Sequence, residues 1–254
     1  IVAVARLAQN VFMLSLLAQA QDQEALAGAR SLPVRRRELF LRILEYRVAG
    51  QRDIGVPITT QEIVPRLEHV ALTMTRRGVV QMTEAELHAA LREFDQHLDP
   101  HEYPSVVARR TVPETVAAAR SLGLLVSAGP GPSRRGIPQE TLQFFHLSFQ
   151  EYLAGGGLAH RWCEEGTFVA ELAELRSRLV ADADTGVQEL DPRWTETVRH
   201  AVDRVEDAQL EALWFEAQAA VEVEEVLRLW LPEPGVTPAA AAALTAVALS
   251  LLSG

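Results

Sequence analysis

Between Thr59 and Phe145 the sequence passes through three helical patterns and then switches to two short extended ones. That change of period restricts the fold more than any other feature. Thr59-Thr60-Gln61-Glu62 offers a capping box, in which a hydroxyl and a carboxylate three residues apart satisfy two amides of a helix start. Ile63, Leu67, Val70, Ala71 and Met74 follow at helical spacing until Gly78. Thr83 to Glu86 starts a second helix with Leu87, Ala90, Leu91 and Phe94 inward, and Thr111-Val112-Pro113-Glu114 opens a third that runs to about Ser121. Gly123 to Ser127 then reads as a strand, Gly129 to Ile137 as a turn, and Thr141 to Phe145 as the returning strand.

Three helices followed by a two-stranded wing is the order of a winged helix. Helical patterns flank it on both sides. Upstream, a helix over roughly Val2 to Gln21 carries Leu7, Val11, Leu14, Leu17 and Ala18 on one stripe. A second, from near Val34 to Gly50, places Leu39, Ile43, Leu44 and Tyr46 inward. Downstream of Gly155-Gly156-Gly157 the chain reads as helical throughout, over Phe168 to Val180, Pro192 to Glu206, Ala208 to Leu231 and Pro238 to Leu252. Helices paired by short loops suggest the start of an α-solenoid, although no repeat of fixed period is clear. The expected class is therefore mainly α: a helical domain, a winged helix with a short β-hairpin wing, then α-solenoid-like helices.

Composition removes several chemistries. All 24 basic residues other than histidine are arginine, so the chain has no lysine. It cannot form a Walker A loop, a Schiff-base lysine or the kinase strand lysine. A net charge of −10 argues against general nucleic-acid binding, leaving only local basic sites such as Arg35-Arg36-Arg37 or Arg134-Arg135. The third helix of the winged helix carries Arg120 and three alanines, Ala117 to Ala119, without a set of side chains that reads base edges. DNA readout is the weaker interpretation.

The single cysteine, Cys163, excludes an intrachain disulfide and points to a reducing, cytoplasmic compartment. Its place in a helix beside Trp162 reads as a structural thiol, and His160 with Cys163 lacks the further ligands that a metal site needs. Asp182 and Asp184, with Glu164 and Glu165, read as solvated charges, as do Glu222, Glu224 and Glu225. Trp194, Trp214 and Trp230 sit at core positions of their helices. The first residues lack the basic region and cleavage site of a signal peptide, and Pro238 to Leu252 is too short to span a membrane at about 20 residues. No membrane contact is expected. Both ends read as cut within helices, so the chain is expected to be a segment of a longer protein.

The stretch Phe144-Phe145-His146-Leu147-Ser148-Phe149-Gln150-Glu151-Tyr152-Leu153-Ala154 joins the returning strand to a helix. Ser148 and Glu151 have capping-box spacing, with Leu147, Tyr152 and Leu153 placed to staple the helix start. His146 is then expected just outside a helix N-terminus, where free amides and the macrodipole favour an anion and a histidine can donate to a phosphate. The alternative is a histidine at a strand end, hydrogen-bonded to backbone.

This motif closely resembles the Phe-x-His-Leu-Ser/Thr-Phe-Gln-Glu signature that closes the winged-helix domain of NACHT-type STAND NTPases, the class containing Nod-like receptors. The order upstream is similar as well. Ala8 to Leu17 resembles the helix that follows the family's nucleotide-binding core, Leu32-Pro33 through Phe40 resembles its Leu-Pro segment, and Leu122 to Leu125 its Ser-Gly-Leu-Leu strand. Asp191-Pro192-Arg193-Trp194 resembles a helix start found after the winged helix in bacterial members. The likeness covers roughly Ala5 to Ala201.

The resemblance implies three parts: residues 1–55 as the helical domain after a P-loop core that is not in this chain, 56–162 as the winged-helix domain, and 163–254 as a helical linker or the start of a sensor array. It implies that His146 contacts the β-phosphate of ADP and that Val11 stands where the family has a proline near the adenine. ADP or ATP with Mg²⁺ would be bound by the intact protein and not by this segment alone, from which no catalysis is expected. The implied partners are the P-loop core of the same protein, a sensed ligand and further copies on activation, in bacterial defence or signalling. Two other classes stand beside this one: a winged-helix DNA-binding regulator, and a helical interaction scaffold without nucleotide.

Overall fold

A computed structural model describes residues 36–49, 58–97, 111–131, 138–176, 178–181 and 188–205, with isolated positions 18, 209 and 213. The chain divides into two compact units, Ile1–Thr60 and Gln61–Gly254. The described residues are mainly helical, with a small three-stranded antiparallel sheet and a separate two-stranded one.

In the first unit the described element is α1 (Arg36–Ala49). Leu39, Phe40, Ile43 and Leu44 form its buried stripe, at offsets of one, four and five residues. Tyr46, expected inward, is 53% exposed, because a position two residues past Leu44 falls roughly 200° around a helix. The expected helix over Val2 to Gln21 lies outside the described residues.

The second unit begins with α2 (Thr60–Arg76), whose Ile63, Leu67, Val70, Ala71 and Met74 are all essentially inaccessible. Gly78 ends it at φ +66, with the Val79 amide donating to the Met74 carbonyl at 3.0 Å, a left-handed closure that glycine adopts without strain. Strand β1 (Met82–Thr83) leads directly into α3 (Glu84–His97). A capping box forms at this expected helix start: the Thr83 amide donates to Glu86 at 2.9 Å and the Glu86 amide to the Thr83 hydroxyl at 3.3 Å. Helix α4 (Val112–Ser121) starts where expected, on a further capping box, with the Thr111 amide donating to Glu114 at 2.7 Å. Buried Arg66 ties the three helices together, reaching Asp95 of α3 at 2.9 Å and Thr115 of α4 at 3.3 Å.

Strands β2 (Leu125–Gly131) and β3 (Gln139–Phe144) pair antiparallel, with Leu125 opposite Phe144. β1 pairs with the other edge of β3, giving the order β1-β3-β2. The register slips between Ser127 and Gly129, where Gly129 takes φ +93 and its carbonyl accepts from the Thr141 hydroxyl at 2.8 Å. β1 went unread in the sequence because two residues carry no alternation.

Helix α5 (Leu147–Cys163) follows β3 and is buried without interruption from Phe149 to Ala159. A helix apolar or small on every side belongs in the centre of a core, and α5 lies against β3, α6 (Phe168–Arg176) and α7 (Pro192–Val202). Between α6 and α7 the expected all-helical course is wrong. Strands β4 (Leu179–Ala181) and β5 (Gln188–Leu190) form a hairpin, so the expected helix from Phe168 to Val180 ends at Arg176. Runs of three residues are too short to break a helical pattern visibly, and the signal lay in the turn-forming residues of Asp184-Thr185-Gly186. Asp191 caps α7, accepting from the Arg193 amide at 2.9 Å, with Pro192 in the first turn where its missing amide costs nothing. The helices expected beyond Ala208, and any solenoid they would build, lie outside the described residues.

A buried carboxylate joins these outer elements. Glu171 of α6, 3% exposed, accepts from Arg76 of α2 and Arg161 of α5, each at 2.5 Å. Arg76 also reaches Glu174 at 3.1 Å, and Arg161 reaches Glu165 at 3.0 Å. Charge-assisted bonds of this kind satisfy a buried carboxylate and fix the packing angle of three helices at once.

Candidate functional site

The candidate site is the junction of β3 and α5. The Phe145 amide donates to the Leu124 carbonyl at 3.2 Å, extending the sheet by one residue past Phe144. His146 follows in an extended conformation, φ −156 and ψ 146, and is itself the cap of α5. Its Nδ1 accepts from the Ser148 amide at 3.1 Å, while its carbonyl accepts from the Phe149 and Gln150 amides at 3.1 and 3.2 Å.

The sequence placed the cap two residues later, on Ser148 with Glu151. That expectation is corrected. Imidazole Nδ1 does what an aspartate or serine oxygen does at this position, so Ser148 becomes the second helical residue and Glu151 a buried residue of the next turn. The stapling shifts as well. Leu147 is 40% exposed, and the Phe145 ring packs on Phe149 with centroids 4.7 Å apart. Phe149 also meets Phe144 at 6.5 Å and Tyr152 at 6.2 Å, so aromatic packing sets the angle at which helix leaves sheet. Gln150, buried, donates to the Val79 carbonyl at 3.2 Å and fastens the junction to the turn after α2.

This geometry decides the state of the ring. An Nδ1 that accepts a hydrogen bond carries no proton, so the proton of the neutral imidazole resides on Nε2. Burial lowers the pKa of His146 in the same direction. Near neutral pH the residue is therefore a neutral imidazole beside a helix N-terminus, not a cation.

Other candidates fall elsewhere. Val11, Asp182, Asp184, Trp214, Trp230, Glu222, Glu224, Glu225, Arg35, Arg134 and Arg135 lie outside the described residues. Cys163 is half-buried at the end of α5, and burial with the nearby Glu164 raises its pKa, which weakens it as a nucleophile. Among the described residues no group of three His, Cys, Asp or Glu side chains could hold a metal ion. Arg120 of α4 is bound to Glu140 of β3 by two bonds, at 3.0 and 3.2 Å. Among the described residues no helix is long and apolar enough to cross a membrane.

Sequence reasoning missed Glu68 and Arg204. Arg204, just after α7, donates to the Glu68 carboxylate of α2 and lies over the Tyr152 ring, with its Cζ 4.3 Å from the centroid. The one available signal was the run Gly155-Gly156-Gly157 inside a helix, since consecutive glycines there imply close approach of other groups. The chain matches no protein-family model and no curated protein.

Proposed function

We propose that this chain is the regulatory portion of a NACHT-type STAND NTPase that follows the nucleotide-binding core, with residues 56–162 as its winged helix. The observation that carries the reading is the placement of His146. It caps the helix that immediately follows the β2–β3 pair, within the Phe-x-His-Leu-Ser-Phe-Gln-Glu sequence that resembles the family signature. The succession of α2, α3 and α4 before β2 and β3, with β1 as a third strand, supports the same reading.

In this reading His146 donates its Nε2 proton to a phosphate oxygen of ADP and holds the intact protein closed. Donation by a neutral ring suits a switch: the bond is specific but weak enough to be released when the nucleotide or the sensed ligand changes. Of the nucleotide site, this chain would supply the phosphate contact of His146, with Val11 on the adenine side. Without lysine it has no phosphate-binding loop, so the loop and the Mg²⁺ carboxylates belong to the core domain. Bound ADP or ATP with Mg²⁺ would supply the charge difference that the switch reads. Release would free the protein to self-associate in bacterial defence or signalling, within the cytoplasm.

The reading as a DNA-binding regulator draws no support from α4, whose one arginine is engaged by Glu140. The test is replacement of His146 in the full-length protein. His146→Ala should lower ADP retention and raise basal activity, as measured by nucleotide content after purification and by oligomer formation. Both quantities unchanged would sink the nucleotide role.

A further inference from the structure

The second half of α5 is shaped by what its glycines leave out. A Cβ at Gly155 would lie 2.5 Å from the His200 Cβ, 2.7 Å from the Thr197 carbonyl oxygen and 2.9 Å from the Ala201 amide, all on α7. A Cβ at Gly156 would overlap the Glu68 carboxylate and the Arg204 guanidinium. At Gly157 it would lie 3.0 Å from the Glu68 carbonyl oxygen on α2. One three-residue platform thus seats α7, the Glu68–Arg204 pair and the backbone of α2. Arg204 adds a long bond to the Tyr152 carbonyl at 3.5 Å, and the Tyr152 ring meets the edge of His200 at 5.5 Å.

We propose that α7 and Arg204 form a coupling latch: seated on the Gly155–Gly157 platform and bound to Glu68, they couple the position of α7 to the helix that His146 caps. The platform stands about 15 Å along the α5 axis from His146. A buried helix of this length transmits a displacement as a rod. Lifting α7 strips Glu68 of its counter-charge while the carboxylate is still enclosed, so partial opening is disfavoured and release is all-or-none. Burial already pushes the Glu68 carboxyl above its ordinary range, against the opposing charges of Arg204 and of His160 on α5.

The latch does not depend on the nucleotide reading, and its test reads backbone exchange in the full chain. Arg204→Met should raise amide exchange across α7 by about a hundredfold or more, as removal of one partner of a buried ion pair implies. The Ser148 amide, which donates to His146, should lose protection in parallel, while α3 stays slow. The effect should grow as pH rises. A folded-state pKa that is raised makes its stabilisation complete at low pH and loses it as pH rises through the raised value. Glu68→Gln with Arg204→Met should abolish that pH dependence. Should Arg204→Met not fold, Arg204→Lys keeps the charge but loses the fork, and should loosen α7 and Ser148 together to a smaller degree. Exchange of α7 at the wild-type rate, or loosening of α7 with Ser148 unchanged, overturns the latch.

Discussion

The two ends of α5 solve opposite problems. The His146 end is built by addition: three phenylalanines, a ring nitrogen accepting an amide and a glutamine fastened to a neighbouring turn. The glycine end is built by removal, with three missing side chains that let α7, α2 and an ion pair approach the helix backbone. The first end leaves a titratable group half-buried. The second encloses its charged groups and commits them.

Substitution of Gly155 should expose that contrast most strongly. Gly155→Leu places a large side chain against His200 and the α7 backbone, and overpacking of this kind should cost about 3 kcal/mol in denaturant unfolding. A loss below about 0.5 kcal/mol would mean that α7 is not held against α5 as described.

His146→Ala should cost less, about 1 kcal/mol, because it removes one cap bond at a half-buried site. His146→Asn should recover most of that stability, since an amide oxygen can accept from Ser148, while still losing any function specific to imidazole. The cap also carries a pH signature. Its pKa is lowered by burial, so its contribution is complete above the ordinary histidine value and is lost as pH falls through the lowered one. An NMR titration of the His146 ring beside the Ser148 amide shift should show both changing together.

Gly157→Ala should be the smallest effect. The new methyl would sit 3.0 Å from the Glu68 carbonyl oxygen, but alanine gains about 1 kcal/mol over glycine within a helix. The two nearly cancel, and the unfolding midpoint should move little. If Gly157→Ala cost as much as Gly155→Leu, the platform would be uniformly tight and the distinction between its α7 and α2 sides would fail.

Much of the local structure was legible in advance because it rests on short-range rules. The helix starts at Thr83–Glu86 and Thr111–Glu114 fall where they were read, Gly78 ends α2, and the change of period locates β2 and β3. The errors come where several local solutions compete. Ser148 and His146 are both competent caps, and the choice falls to His146 because Phe145 must pack on Phe149, which advances the helix start. The β4–β5 hairpin was lost in a helical background, since a strand of three residues has no periodicity to read.

The sequence by itself determined the order of helices α2 to α5 and the β2–β3 pair between them, the absence of any lysine-dependent phosphate site and the histidine at the β3–α5 junction. Capping, turn chemistry and side-chain period act within a few residues, so the linear order contains them. Only the tertiary structure decided the protonation geometry of His146, the pairing of Glu68 with Arg204 across 136 positions and the purpose of three consecutive glycines. Each depends on which distant surface arrives at a given face of α5. That is settled by the packing of the whole unit and not by any stretch of it.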